Sequence, residues 1–268
     1  MIPYIQPIFI PDENHLDINI ESIKTFGNYI KEFPYDVKCV FGGWAKSPKW
    51  FSEICCMIQK NIPDDIILEI KAYDKNYGKA YVVNDLYRSI NTHKFKYFLT
   101  ADSDIQFSPK ICNIFEKLHS IAENFTEETK KKLGLISLNL EDEQCHIIKQ
   151  LKKEYHVLTS DGTKEKLIYN ASGAHIAGGC IFVSRSAWDE VGGYKELSVY
   201  GGHDGTLLSD MNQKKYMCVV SPELSVIHPR NKDVLYRRHK QQLQKTKDGK
   251  SLKQTMVQTE DFWKNRNL

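Results

Sequence analysis

Tyr97-Phe98-Leu99-Thr100-Ala101-Asp102-Ser103-Asp104, residues 97–104, joins a short run of strand-forming side chains directly to two carboxylates one residue apart. A run of this kind suits a strand buried inside a parallel sheet. Open α/β sheets bind their ligands at the carboxyl ends of such strands, so the acidic pair stands where a ligand site is expected. Two carboxylates on one loop can converge on a hard divalent cation, whose preference for oxygen ligands a diphosphate would complete. As a bare pattern, Asp-x-Asp is also the composition of a solvated turn, and the rest of the chain has to decide between the two.

Working outward, residues 1 to about 140 alternate β-branched or aromatic runs with amphipathic stretches, the pattern of strand-helix-strand units around a mainly parallel sheet. Strands are expected at Tyr4 to Ile10, Val37 to Phe41, Ile66 to Ala72, Tyr97 to Thr100 and Leu135 to Leu138. Three helical faces lie between them: Phe51, Ile54, Cys55 and Ile58; Ala80, Val83, Tyr87 and Ile90; and Ile111, Ile114, Phe115, Leu118 and Ile121, the last behind a Ser108 cap and Pro109. After residue 140 the alternation breaks. Tyr155 to Leu158 and Leu167 to Tyr169 flank a Ser-Asp-Gly-Thr turn, and strands follow at Cys180 to Ser184, Met217 to Val220 and Ser225 to His228, so this half reads as mixed or antiparallel.

The 268 residues, 41% hydrophobic and 26% charged, suit one large soluble domain, and a formal charge of +3 demands no nucleic-acid partner. The opening Met-Ile-Pro-Tyr-Ile-Gln-Pro segment is too short and too proline-rich for a secretion signal, and no apolar run approaches the ~20 residues that span a bilayer. A cytoplasmic protein is expected, with peripheral membrane contact open through the basic segment after Arg230. The seven cysteines lack Cys-x-x-Cys spacing and read as buried free thiols. The expected organisation is one domain over 1–230, divided near 105 into an amino-terminal half and a second half (106–230), followed by a basic tail, 231–268, helical or flexible.

Five segments then fall in order: Pro-Ile-Phe-Ile-Pro at 7–11; Asn76-Tyr77-Gly78-Lys79-Ala80; Ala101-Asp102-Ser103-Asp104; Gly178-Gly179-Cys180-Ile181-Phe182-Val183-Ser184-Arg185 with Trp188 and Val191-Gly192-Gly193-Tyr194; and Gly202-His203-Asp204. Together they resemble the family 2 glycosyltransferases of GT-A fold, over roughly residues 5 to 230. The resemblance implies an α/β protein of GT-A type: a Rossmann-like nucleotide-binding half with a mainly parallel central sheet and flanking helices, joined to a mixed acceptor-side half. It implies a metal-dependent transfer of a sugar from a nucleoside-diphosphate sugar to a hydroxyl of a glycan, lipid-linked or protein acceptor, with inversion.

Position by position, the resemblance implies that Asp102 and Asp104 bind the metal and the donor's ribose or diphosphate, with Asp104 the direct ligand, and that Asn76, Gly78 and Lys79 frame the nucleotide pocket. Asp204 matches the general base of the family's Glu-Asp motif. Here His203 replaces the Glu, which leaves the acceptor class open. An acceptor hydroxyl is a very weak acid, so a carboxylate within hydrogen-bond reach is needed to take its proton. The same Asp204 also reads as the cap of a helix starting at Gly205. His228 leaves a strand end like a loop ligand and matches the histidine that completes the metal site in many such enzymes; an imidazole ligand favours Mn²⁺ over Mg²⁺. Gly178 and Gly179 would permit close backbone approach on the acceptor side. Trp188 and Tyr194 read either as sugar-stacking rings or as core, and His175 is similarly ambiguous. Arg230, Arg237 and Arg238 read as a solvated or lipid-facing surface, or as a cover over the leaving diphosphate.

Two rival readings are weighed from other classes. A nucleotidyltransferase would carry a glycine-rich basic loop after the first strand, where Pro11-Asp12-Glu13-Asn14 stands; an Asp-x-Asp phosphatase would need Thr or Val where Gln106 stands. A non-catalytic sugar-nucleotide binding module is kept open by His203 and by Phe41-Gly42-Gly43-Trp44, which lacks the acidic residue the family places after its second strand.

Overall fold

The computed structural model describes residues 1–31, 37–90, 94–108, 113–141, 153–169, 176, 178–196, 199, 202–229, 234–245 and 252–265. The amino-terminal part alternates β1 (Ile2–Ile10), α1 (Glu13–Ile30), β2 (Val37–Ala45), α2 (Pro48–Asn61), β3 (Ile67–Ala72), α3 (Lys79–Ile90) and β4 (Tyr97–Ala101). Its strands lie side by side as β3-β2-β1-β4, all parallel. Parallel neighbours need crossover connections, and α1, α2 and α3 supply them.

The chain continues through α4 (Ile114–Thr129), β5 (Lys132–Leu140), β6 (Lys153–Leu158), β7 (Lys164–Tyr169), β8 (Cys180–Ser184), α5 (Arg185–Val191), α6 (His203–Gln213) and β9 (Tyr216–Val226), and ends with α7 (Val234–Lys245) and α8 (Leu252–Lys264). These strands extend the same sheet as β8-β5-β9-β7-β6 beyond β4. The sequence pattern makes β5 a continuation of the alternation; in the structure β8 enters antiparallel between β4 and β5, with Phe182 opposite both Leu99 and Ile136. Only this insertion lets Gly178 and Gly179, just before β8, reach the end of β4.

Both faces of the sheet are apolar because helices cover both, and the period of two sorts alternate residues into two cores. Tyr4, Cys39, Phe41 and Leu99 join Phe26 of α1, Ile54 of α2 and Phe115 of α4 in one. Ile5, Val40 and Phe98 join Val83 and Leu86 of α3, Trp188 of α5 and Leu207 of α6 in the other. The Tyr4 and Phe26 rings stack at 3.8 Å in the first core.

The sequence pattern does not predict α1 or α5. The buried face of α1 mixes His15, Asn19 and Ser22 with Leu16, Ile23, Phe26 and Ile30, which dilutes its apolar period. Asp12 caps it, accepting the His15 backbone N–H at 2.8 Å. Pro109 and Ile111, expected at the start of α4, lie outside the described residues. The described cysteines are all free; Cys39, Cys180 and Cys218 are buried, whereas Cys55 is half-buried and Cys56 exposed, which corrects the expectation of burial for that pair. No helix among the described residues is long and apolar enough to cross a membrane.

The basic segment after residue 230 includes α7 and α8, and these pack on the body: Tyr236 is 3% exposed, Thr255 Oγ1 accepts the Val199 N–H at 3.3 Å, and His239 stacks on Phe262 at 4.1 Å.

Candidate functional site

The 102–105 turn is closed by the Ile105 N–H donating to the Asp102 carbonyl at 3.2 Å, and is tied to the strand before β8 by the Asp102 N–H donating to Gly179 O at 2.7 Å. Beneath it, Gln6 donates to Asp102 O at 3.2 Å and to Ser22 Oγ at 2.8 Å, and Ser22 donates to Ile105 O at 2.5 Å. This accounts for Ser22 on the buried face of α1, since the carbonyls of a buried turn need donors. Gln106 then exchanges both backbone hydrogen bonds with Ile227 at 2.9 Å. That antiparallel bridge sets His228, past the end of β9, beside Asp104, with Nε2 3.3 Å from Oδ2.

One ligand atom from each of Asp102, Asp104 and His228 lies within 4.8 Å of the other two. The donor set fits a divalent cation, because two carboxylates and one imidazole suit Mn²⁺. Burial pushes the Asp102 carboxyl up, reinforced by Asp104 and Asp204 and opposed by Lys79. Burial acts the same way on Asp104, but the His228 hydrogen bond and the His228 and Lys240 charges outweigh it and hold that carboxyl below its ordinary value.

Lys79 links this triad to Asp204. Its Nζ lies 2.7 Å from Asp102 Oδ1 and 3.4 Å from Asp204 Oδ1, and donates to Gly178 O at 2.8 Å. Burial would lower its pKa; the two carboxylates reverse that and raise it well above the ordinary lysine value, so Lys79 is a fixed cation. Gly78 precedes it at φ +82°, where a β-carbon would lie 2.8 Å from Val199 Cα, and Asn76 Oδ1 accepts the Gly78 N–H at 3.0 Å, which turns the chain into α3.

α6 begins at His203 behind a Gly202 cap, two residues before the Gly205 start that a cap at Asp204 would require, and Asp204 lies in its first turn. A carboxylate there meets the positive end of the helix dipole. Gly178 explains how the carboxylate reaches the pocket: a β-carbon at 178 would lie 2.0 Å from Asp204 Oδ1. His203 is 3% exposed, with Nδ1 3.4 Å from Lys195 O, and burial depresses its pKa.

These residues border a cavity of about 340 Å³. Its other arm is aromatic. Phe9 lies 6.0 Å from Trp44 and 6.4 Å from Tyr236, ring to ring and near parallel, and the His15 ring stands edge-on to Tyr236 at 5.2 Å with Nδ1 2.6 Å from Asp12 Oδ1. Trp44 belongs to β2 itself, since that strand runs on to Ala45.

The structure therefore brings together Asn76, Gly78, Lys79, Asp102, Asp104, Gly178, Gly179, His203, Asp204 and His228 around one cavity. Trp188 is not among them. It is 2% exposed and packs on Tyr87, Phe98 and Tyr194, so its expected place on the acceptor side is corrected to the core. Tyr194 is buried with its ring 5.5 Å from Lys79 Nζ. Arg237 and Arg238 are exposed, while His175 and Arg230 lie outside the described residues. Phe9, His15, Trp44, Tyr236 and Lys240 also border the cavity, although the sequence reading gives none of them a site role; the Asp12 cap with His15 one turn on is the signal that could have drawn attention to α1.

No family model and no curated protein matches this chain. Among solved structures, mannosyltransferase PcManGT from Pyrobaculum calidifontis, in complex with GDP-Man and Mn²⁺, is similar over 98% of this chain and 69% of its own, with a TM-score of 0.60 and 12% identity. GalNAc-T7 with UDP, GalNAc and Mn²⁺ is similar over 87% of this chain, with a TM-score of 0.55 and 13% identity. The fold is of the GT-A type. This chain spans only 44% of the GalNAc-T7 chain, and at such identities the likeness establishes the GT-A backbone arrangement and no activity.

Proposed function

We propose that the protein is a metal-dependent glycosyltransferase that moves a sugar from a nucleoside-diphosphate sugar to an acceptor hydroxyl with inversion. The observation that carries this reading is the convergence, in one cavity at the ends of β1, β2 and β4, of a metal-competent triad and a separate carboxylate, Asp204, joined through Lys79. Both named structural neighbours were solved with Mn²⁺ and with nucleotide or sugar, which agrees with it.

Asp102, Asp104 and His228 would hold the cation, Mn²⁺ in preference to Mg²⁺, which supplies charge neutralisation to a diphosphate when bound. The aromatic arm formed by Phe9, Trp44 and Tyr236 offers ring faces to the nucleoside. Asp204 takes the acceptor proton as the acceptor oxygen bonds to the anomeric carbon and the bond from that carbon to the diphosphate oxygen breaks, its electron pair leaving with the diphosphate. A single displacement of this kind inverts the anomeric centre. Lys79, 3.4 Å from Asp204 Oδ1, helps hold that carboxylate at the cavity wall.

Thermal-shift screening of sugar nucleotides tests the reading, because a ligand that binds only the native state raises its apparent stability. At least one sugar nucleotide should stabilise the protein in the presence of Mn²⁺ and lose that effect with a chelator. A panel that shifts nothing under either condition contradicts it.

A further inference from the structure

We propose that the outward faces of α7 and α8 dock the protein on an anionic lipid surface. The chain divides its charge unevenly. Residues 230–268 hold eleven Lys and Arg against four Asp and Glu, whereas the whole sequence holds 37 against 34, so everything before residue 230 is net acidic. α7 itself carries Arg237, Arg238, Lys240 and Lys245 and no acidic residue. The arginines of the body are paired, Arg88 with Asp85 at 3.4 Å and Arg185 with Asp189 at 3.5 Å. Arg237 and Arg238 are exposed and enter no ion pair among the described residues. A face of unneutralised cations on a net acidic body is complementary to a negatively charged surface.

Charge alone suits any polyanion; the apolar side chains among the cations select a bilayer. In α7, Tyr236 and His239 are buried, and Leu235, 57% exposed, shares an outer face with Arg238 three residues on. In α8, Thr255 and Thr259 are buried, and Lys253, Val257 and Lys264 form a stripe on the opposite side, with Asp261 at its margin; Val257 is 49% exposed. Leu235 and Val257 are two of the five large apolar side chains that stand exposed among the described residues. An interfacial helix sets its cations among the headgroups and buries apolar side chains between them. A nucleic acid or an acidic polysaccharide would use the cations and leave Leu235 and Val257 without a role. Because Tyr236 of the same helix lines the cavity, a bilayer on the outer face lies about one helix diameter, ~10 Å, from it. That puts a lipid-linked acceptor within reach, a consequence that rests on the transfer reading; the docking itself does not.

The test is co-sedimentation of the full chain with vesicles of phosphatidylcholine, alone or with about one-third phosphatidylglycerol. It compares the wild type with the Arg237→Glu/Arg238→Glu and Leu235→Ser/Val257→Ser double variants, all at exposed positions, with thermal midpoints taken alongside. The wild type should bind the mixed vesicles and not the neutral ones, and should be released by about 0.5 M salt. Affinity should fall about 30-fold or more in the glutamate variant and about 10-fold or more in the serine variant, with midpoints unchanged. Failure of the wild type to bind the mixed vesicles overturns the proposal, as does equal binding to neutral ones. Wild-type vesicle binding by the serine variant, with single-stranded DNA or heparin competing fully, also overturns it and leaves a surface for a soluble polyanion. Vesicle binding by a wild type that turns over no sugar nucleotide supports the docking and removes only the lipid-linked acceptor.

Discussion

Asp204 and Asp104 stand in one cavity and are assigned different work, and single substitutions separate them. Asp204→Asn keeps shape and hydrogen bonding but cannot take a proton. It should retain Mn²⁺-dependent binding of a nucleoside diphosphate while transfer falls roughly 10²- to 10⁴-fold, as read by calorimetry beside a transfer assay. Asp104→Ala should do the reverse of sparing binding, lowering Mn²⁺ affinity by more than the roughly 10- to 100-fold that follows loss of a ligand's outer partner. Gly178 supplies a subtler test. A methyl group there meets Asp204 Oδ1 at 2.0 Å, so Gly178→Ala should turn that carboxylate aside. Transfer should fall on the order of 100-fold, the scale of a misplacement near 1 Å, with Mn²⁺ binding close to the wild type. Wild-type transfer in Gly178→Ala would detach Asp204 from the chemistry. Asp102 and Asp104 stand out in the sequence because they follow an apolar strand run, and Asp204 because its segment carries the family resemblance, although a turn and a helix cap account for the same residues. The Lys79 link does not, since its partners lie 23 and 125 residues further along the chain.

Among the elements, the strands were the most legible: alternate residues of β1, β2 and β4 feed two different cores, and that period of two is written in the sequence. α1 was hidden by His15, Asn19 and Ser22 on its buried face. The antiparallel entry of β8 between β4 and β5 was hidden for another reason, because strand order depends on pairing and leaves no local signal. The sequence leaves the segment after 230 helical or flexible, and its exposed Arg237 and Arg238 fit a solvated face; what the sequence does not show is that Tyr236 and His239 seat α7 on its neighbours. Tyr236→Ala should therefore release one element from a body that keeps its own cores. Removing a buried aromatic costs about 3–5 kcal/mol where the site cannot collapse, and here that loss should appear mainly as local opening. Hydrogen-exchange protection should drop across residues 234–245 while β1 and β4 stay protected; unchanged protection in α7 would show that Tyr236 does not hold it.

At the scale of the whole molecule, two buried imidazoles tie stability to pH. Burial lowers the pKa of both His203 and His239 below the ordinary value of 6.5. The unfolded chain then binds protons more readily than the folded one, so their contribution is intact above 6.5 and is lost as pH falls through and below it. Urea midpoints should decline from about pH 7 to about pH 5, and His239→Phe, which can keep the stack on Phe262, should flatten part of that slope. A slope identical to the wild type would exclude His239 as a contributor. The GT-A sheet gathers the carboxyl ends of β1, β2 and β4, the strand before β8, the start of α6 and the end of β9 at one cavity, which is how residues from 9 to 240 share a single site. The most direct test of that site as a glycosyl-donor centre is release of nucleoside diphosphate from a panel of sugar nucleotides. The account predicts release from at least one of them with Mn²⁺, abolished by chelation and by Asp104→Ala. Binding of a sugar nucleotide with no release, with or without acceptor sugars, would contradict it and leave a binding module on the same fold.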